Sequence, residues 1–205
     1  MALTVPGGRA AAQAVELDWG ANVTSNYIFR GTTQSDDDPA LQGYVEGAFR
    51  LFYLGAWAST VDFDADERFE LNLYGGVRPS VGDLALDVGY IRYLYDDGGD
   101  CCGEVALQAS YPIAELGEVG GAFYYDPDED ASWTEARAAY YFAEVWEIGG
   151  SVGSDFGSLN LGDDDKTAWD TRIGRTLGDL GALDLRWHDS NHDDGAAVVS
   201  IGVDF

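Results

Sequence analysis

The sequence predicts an all-β protein, a closed antiparallel up-and-down transmembrane β-barrel of about 12 strands. Apolar residues recur at every second position through most of the chain, which is the period of a strand with one apolar face. Glycine is abundant at 27 of 205 residues, and aromatic residues make up 13%. The alternating segments are about ten residues long, the length of a tilted strand that crosses a bilayer. Because no run of about 18 apolar residues occurs, a membrane-spanning helix is excluded.

The strand segments follow one another along a single domain, residues 15–205. The last segment is the clearest: every odd-numbered residue in 197–205 is apolar, and Ser200, Gly202 and Asp204 lie on the opposite face. The segments begin near Glu16, Leu41, Phe52, Glu67, Leu84, Gly103, Gly117, Ser132, Trp146, Thr167, Gly181 and Gly195. The preceding residues, 1–14, are interpreted as the remnant of an export signal or as a disordered N-terminus, since Ala12-Gln13-Ala14 has the small-x-small form of a cleavage site.

The connections between the segments alternate between acidic and plain. In an up-and-down meander all odd-numbered connections emerge at the same end, so we predict one acidic rim and one plain end. The predicted acidic rim consists of Asp36, Asp37, Asp38, Asp62, Asp64, Asp66, Asp126, Asp128, Asp163, Asp164 and Asp165. Solvation of these carboxylates explains the rim without a ligand, and binding of divalent cations is the alternative.

Two kinds of barrel fit a period of two. A soluble barrel turns its apolar face inward, and an outer-membrane barrel turns it toward lipid. The polar face favours the second, because it carries glycine, serine and charges of both signs that suit a wet lumen. Its predicted pore-lining residues are Asp18, Glu46, Arg68, Glu70, Asp87, Glu135, Arg137, Glu147, Asp170, Arg172, Asp184 and Arg186.

Aromatic residues near the strand ends give the same indication, since they form girdles at the two membrane interfaces. The predicted girdle residues are Trp19, Phe49, Trp133, Tyr141, Phe142, Trp146, Trp169 and Trp187. A soluble secreted acidic β-barrel that binds a small apolar ligand stays open as an alternative.

Several kinds of chemistry are disfavoured by the residues. A net charge of −26 repels phosphate, so no nucleic-acid partner is expected. The aspartates at 62, 64 and 66 lack the glycine and glutamate of a calcium loop. His188, Ser190, Asn191 and His192 are too close in the chain to form a hydrolase site easily. Cys101 and Cys102 are adjacent, which suits two loop thiols or a local disulfide rather than zinc. No enzyme activity, cofactor or metal site is predicted.

Part of the chain resembles a known family, the TorF-like porins of proteobacteria. The similarity is sharp over residues 15–95 and afterwards rests on strand rhythm and the C-terminus. It lies in SNYIFRG at 25–31, QS at 34–35, DPALQG at 38–43, GAWAS at 55–59, ELNLYGG at 70–76, LDVGY at 86–90 and the terminal Phe205. A departure is Tyr95-Asp96, where the family usually has Tyr-Pro.

The resemblance implies an exported porin in the cell outer membrane, with lipid as its surroundings and no catalytic set. Phe205 resembles the C-terminal assembly signal that the barrel-assembly machinery reads. A barrel of about 12 strands has a largely filled interior, so we expect a narrow channel for small solutes. Acids outnumber arginines on its lining, which predicts a preference for cations or neutral solutes. The alternative is a barrel plugged by Tyr44, Tyr74, Tyr124, Arg68 and Arg172, with a structural or surface-binding role.

Overall fold

Antiparallel strands account for most of the chain in a computed structural model that describes residues 15–63, 67–155, 165–178 and 181–205. The predictions for residues 1–14, and for Asp64, Asp66, Asp163 and Asp164, fall outside the described residues. The strands are β1 Glu16–Thr24, β2 Ile28–Phe29, β3 Thr32–Thr33, β4 Ala40–Phe49, β5 Phe52–Thr60, β6 Phe69–Val77, β7 Ser80–Val81, β8 Leu84–Tyr95, β9 Gly99–Pro112, β10 Gly117–Asp126, β11 Ala131–Phe142, β12 Trp146–Asp155, β13 Thr167–Thr176, β14 Ala182–Ser190 and β15 Ala196–Asp204.

Twelve of these strands form a closed ring, and each pairs with a neighbour on both sides. The order runs β6-β5-β4-β1-β15 and then down through β14 to β8, and the β6–β8 pairing closes it. The first and last long strands are joined, with Gly20 opposite Asp204 and Thr24 opposite Ser200. The two-residue strand β7 extends the edge of β8, and β2 and β3 form a separate hairpin. The predicted closed antiparallel barrel is confirmed.

The apolar faces of the strands point outward. Leu185, Val199 and Ile201 are 48%, 48% and 50% exposed, whereas the charged Glu70 on the inner face is 2% exposed. Burial is thus the reverse of that in a water-soluble barrel, whose apolar face fills the interior. A continuous apolar exterior is stable only against hydrocarbon, since apolar area exposed to water costs about 25 cal/mol per Å². No described helix is long and apolar enough to cross a bilayer.

Aromatic side chains ring the exterior near both ends, as interfacial girdles do. At the end where β1 begins and β15 ends, the Trp19 and Phe205 rings stack with centroids 4.3 Å apart, and Phe142 stacks on Trp146. Trp169 and Trp187 are exposed near the other end. Two predicted girdle residues are placed differently: Trp133 is only 4% exposed, and Trp133 and Tyr141 both border the interior cavity. Their odd numbers put them on the inner face of β11, beside Glu135 and Arg137.

The strand boundaries follow the predicted ones closely, with the largest difference at β9. This strand begins at Gly99 rather than near Gly103. Tyr93 lies opposite Cys102 and Leu94 lies opposite Asp100, so Cys101 is an extra residue in the β9 ladder. Such a bulge breaks the period of two locally, which hid the start of the strand. Cys101 and Cys102 form a disulfide with each other, one of the two alternatives that the sequence left open.

Gly181 is required by the turn that leads into β14. Its φ is +106°, and a Cβ atom there would lie 1.9 Å from the carbonyl oxygen of Gly202. We expect Gly181→Ala to destabilise the folded barrel by about 2 kcal/mol or more. The added Cβ forces the backbone to shift, and this distortion adds to the strain of the positive φ. Urea titration of the barrel in detergent micelles measures this. Gly178→Ala is the matched control, since Gly178 also has a positive φ but nothing within 4 Å of its Cβ position. Equal losses in both variants would contradict the clash.

Candidate functional site: the lumen and its inward hairpin

The first acid-end connection, residues 25–39, folds into the barrel. It carries the β2–β3 hairpin, in which Ile28 pairs with Thr33. At its start the Tyr27 ring meets Trp57 of β5 at 5.5 Å between centroids. At its tip, a Cβ atom on Gly31 would lie 2.8 Å from the Cβ of Ala168 in β13. The hairpin therefore reaches from the β5 side of the wall to the β13 side and crosses the lumen.

Gly31 makes this close approach possible. Its φ is +82°, which side-chain-bearing residues rarely adopt. The positions of Ala168 and of Ser190, whose Cβ would be 2.9 Å from an added Cβ, leave no room for a side chain. The tip of the hairpin is thus fitted against β13 and β14.

Arg30 anchors one side of the hairpin to the wall. Its Nη1 and Nη2 donate to Oε1 and Oε2 of Glu104 in β9, at 2.7 and 3.0 Å. The Tyr93 hydroxyl donates to the same carboxylate at 2.8 Å. The guanidinium carbon lies 5.0 Å from the Tyr124 ring centroid and 5.3 Å from that of Trp133. We call the four wall residues Tyr93, Glu104, Tyr124 and Trp133 the Arg30 cage.

Thr32 anchors the other side. Its hydroxyl donates to Oδ2 of Asp193 at 2.7 Å, and Lys166 contacts both Thr32 and Asp193. The Thr32 hydroxyl and the Lys166 ammonium hold the pKa of Asp193 below its ordinary value. Asp193 is therefore ionised at neutral pH, which keeps this clasp intact down to acid pH. The hairpin is held at two opposite sides.

Buried polar contacts support the base of the hairpin. Asn26 donates to Asp37 at 2.7 Å and accepts from Thr33 at 2.7 Å. Tyr27 lies near Glu70 of β6, and burial together with this carboxylate raises the pKa of Tyr27, so the phenol stays neutral. Glu70 accepts from Asn72 at 2.8 Å. The connection is thus ordered by its own side chains and not only by the barrel wall.

A cavity of about 560 Å³ opens beside the hairpin. Glu135, Arg137, Arg172 and Arg186 line it together with Asp170. Oδ2 of Asp170 accepts from the Ser151 hydroxyl, while Arg186 lies 3.8 Å from Oδ1. Arg137 donates to Gln108 at 3.3 Å. This part of the lumen is polar and carries charges of both signs.

A second charged cluster lies toward the plain end. Arg78 pairs with Glu46 and donates through Nε to Asp87 at 3.0 Å. The Tyr53 hydroxyl also donates to Asp87, at 2.5 Å, and the Arg78 guanidinium lies 3.7 Å from the Tyr53 ring centroid. One arginine thus links two predicted pore-lining carboxylates.

The remaining predicted pore-lining residues, with one exception, lie on the inner face. Arg172 pairs with Glu147 at 2.7 Å, and Arg186 pairs with Asp184 at 3.3 Å. Asp18 lies opposite Glu46 across the β1–β4 ladder and shares its face. Arg68 is the exception: it precedes β6, is 60% exposed and pairs with Asp62. It lies at the acidic end of the barrel because β6 begins at Phe69, two residues after the predicted start at Glu67.

The described rim residues take part in turns and ion pairs. Asp36 and Asp37 have positive φ angles in the first connection, where Ser35 accepts from the Asp38 backbone N–H. Asp126 accepts from the backbone N–H of Asp128 at 2.8 Å, and Asp128 in turn pairs with Arg92. The backbone carbonyl of Asp165 accepts from Asn191. Within the described residues no group of three or more metal-ligating side chains is assembled.

Ser190 ends β14, and it makes hydrogen bonds within the turn that follows. The Ser190 hydroxyl accepts from the backbone N–H of Asp193 at 2.8 Å, and His192 meets Asn191 at 2.9 Å. His188 borders the lumen cavity. The Ser190 hydroxyl thus accepts within the turn that follows β14.

The residues that sequence reasoning missed are Arg30, Arg78 and Glu104. Val105 and Leu107 lie on the outer face of β9, so the period of two places Glu104 on the inner face. The alternation was therefore sufficient to predict Glu104 as a lumen residue. Arg30 and Arg78 lie in connections, where no periodicity shows which way a side chain points. The predicted plug residues line the wall instead: Tyr44 donates to Asp204 at 3.0 Å, and Tyr74 lies over Gly55. The hairpin, in contrast, crosses the lumen.

A comparison with protein families gives one match. The family model described as "Bacterial protein of unknown function (Gcw_chp)" matches residues 9–204. The chain belongs to the Gcw_chp family. No curated protein matches the sequence.

Solved structures share the fold of this Gcw_chp chain. The KdgM porin has a TM-score of 0.65 at 8% identity, over 92% of this chain and 97% of the porin. It is also known in complex with disordered oligogalacturonate, with a TM-score of 0.63, 8% identity and the same coverage. The NanC porin has a TM-score of 0.59 at 8% identity, over 91% of this chain and 98% of that one. The fold is that of outer-membrane porins, which agrees with the predicted location.

Proposed function

We propose that this chain is a narrow passive channel of the outer membrane, of the TorF-like kind, that prefers small cations and neutral solutes. The observation that carries the proposal is the charge of the lumen. Its described carboxylates are Asp18, Glu46, Glu70, Asp87, Glu104, Glu118, Glu135, Glu147, Asp170, Asp184 and Asp204, against the cations Arg30, Arg78, Arg137, Arg172 and Arg186. The acidic rim adds to the negative potential at one mouth, which raises the local concentration of cations.

The geometry of the bore supports a small solute. The hairpin divides the lumen, and the cavity beside it is about 560 Å³, the size of a small-molecule site. The porin neighbours support passive passage rather than catalysis. Since they are 8% identical to this chain, their solutes are not carried over to it.

The proposal includes the partners that such a channel needs. The barrel-assembly machinery reads Phe205. Phe205 is exposed and stacked on Trp19 at the plain end, where a C-terminal signal is accessible. Outer-membrane lipid surrounds the apolar wall, and divalent cations bind between the acidic rim and lipid phosphates.

A bilayer recording tests the charge preference. We expect the reversal potential in a tenfold KCl gradient to have the sign of K⁺ preference. Glu135→Gln removes a cavity carboxylate and should reduce this potential, because a charge in a narrow, poorly screened bore acts strongly on passing ions. The control is Glu144→Gln in the plain-end turn between β11 and β12, which should change the potential much less. A preference for chloride in the unmodified protein would contradict the proposal.

A plugged barrel is the second candidate function, and one observation favours it: the hairpin is tied to the wall on two sides, through Arg30 and through Thr32. The same recording separates the two candidates, since a plugged barrel inserts into the bilayer without conductance.

A further inference from the structure

The inner wall of the barrel contains a preorganised site for a guanidinium group. Tyr93, Glu104, Tyr124 and Trp133 belong to β8, β9, β10 and β11, so they are held by consecutive strands of the closed ring. Glu104 is 8% exposed and Trp133 is 4% exposed. The carboxylate is further oriented by the Tyr93 hydroxyl at 2.8 Å. The Arg30 cage is thus assembled by the rigid part of the molecule.

The chemistry of the cage matches one class of ligand. A carboxylate that accepts two parallel N–H bonds selects a planar guanidinium. Aromatic rings at 5.0 and 5.3 Å from the guanidinium carbon add cation–π attraction. In this structure the guanidinium comes from Arg30, which is carried on the hairpin and not on the wall.

We propose that the Arg30 cage is a binding site for small guanidinium cations in the lumen, and that Arg30 occupies it in cis. A free guanidinium solute competes with Arg30 for Glu104 and, when it binds, releases the hairpin from the β9 side of the wall. The inference rests on the proposed function in that solute cations enter the lumen, and the acidic rim lies at the end from which the hairpin enters. The hairpin then acts as an intramolecular competitor, and it sets the concentration of guanidinium solute that is needed to occupy the Arg30 cage.

Chemical rescue tests the proposal. Arg30→Ala leaves the cage intact and removes its occupant, so we expect a higher conductance than that of the unmodified channel. Methylguanidinium is added at ~10 mM, above the millimolar effective concentration that is typical of a tethered group, so that the free cation is at least as concentrated as the side chain it replaces. We expect it to lower the conductance of Arg30→Ala at least twofold, and to bind the unmodified protein at least tenfold more weakly.

Calorimetry separates this proposal from the proposed function. Methylguanidinium is titrated into folded Arg30→Ala in detergent, where binding is measured without any conductance. Binding in detergent without conductance in bilayers would contradict the channel and support the cage. Conductance in bilayers without binding in detergent would support the channel and contradict the Arg30 cage as a binding site. Heat-modifiable migration in gels confirms the folded state, and Arg30→Lys is the second variant: it keeps the cation, loses the bidentate pair, and should bind methylguanidinium more tightly than the unmodified protein does.

Two controls decide whether the cage is specific. Arg30→Ala combined with Glu104→Gln should abolish binding. Arg172→Ala also frees a lumen glutamate, Glu147, but Arg172 is not among the arginines that lie over aromatic rings in the described residues. Its methylguanidinium affinity should be at least tenfold lower than that of Arg30→Ala. Equal affinity in both single variants, or persistent binding in the double variant, would overturn the proposal.

Discussion

Leu185→Arg is expected to prevent stable insertion of the barrel. Leu185 lies in the middle of β14, between Ile173 and Val199 on the neighbouring strands, and its side chain is 48% exposed on the outer wall. An arginine near the middle of the hydrocarbon layer costs about 2–4 kcal/mol in a transmembrane barrel. This is about 30- to 1,000-fold in the ratio of folded to unfolded protein. Urea titration in phospholipid vesicles, read by heat-modifiable gel migration, measures the loss.

The control for this variant is Leu51→Arg. Leu51 is 51% exposed, but it lies in the tight turn between β4 and β5 at the plain end. Near the interface the same substitution costs only about 0–1 kcal/mol. Equal losses at both positions would mean that depth in a bilayer does not matter. A Leu185→Arg barrel that stays folded in buffer without detergent would show that the apolar wall faces water.

The sequence was sufficient to predict the barrel because its constraint is repeated in every strand. Each segment must present apolar residues to lipid and polar residues to the bore, so the period of two recurs twelve times. An error in one segment, such as the late start assigned to β9, does not alter the predicted fold. The same alternation predicted that Glu46, Glu147 and Arg186 lie on the inner face of the barrel.

The constriction could not be predicted in the same way. The hairpin is formed by a connection, and its inward course depends on contacts with distant residues such as Glu104 and Asp193. Asp36-Asp37-Asp38 suggested a solvated rim loop, whereas the preceding residues carry the parts that enter the bore. Trp133 was assigned to a girdle because aromatic residues near strand ends usually belong there. The period of two in β11 instead places Trp133 on the same inner face as Glu135 and Arg137, where it packs against Gly153.

Replacing Ile28–Thr33 by Gly-Gly is expected to raise the single-channel conductance several-fold. The backbone N–H of Gln34 donates to the carbonyl of Tyr27 at 2.6 Å, so two residues suffice to join these positions as a hairpin turn. The replacement removes Arg30, Gly31 and Thr32, through which the connection reaches β9 and β13–β14. We expect conductance to rise because the replacement removes the segment that crosses the lumen.

The size of the increase distinguishes a constriction from a surface loop. Gly-Gly in place of Glu129-Asp130 is the matched control, because it alters another acid-end turn of exposed residues and should leave the conductance close to that of the unmodified channel. The larger bore should also admit uncharged solutes that the unmodified channel excludes, which liposome swelling measures with sugars of increasing size. Selectivity for cations should fall at the same time, since a wider, better-screened bore weakens the effect of wall charges on passing ions. Unchanged conductance with a folded barrel would mean that the hairpin does not limit the flow, and the narrowest section would then have to lie at the Arg78 cluster near the plain end.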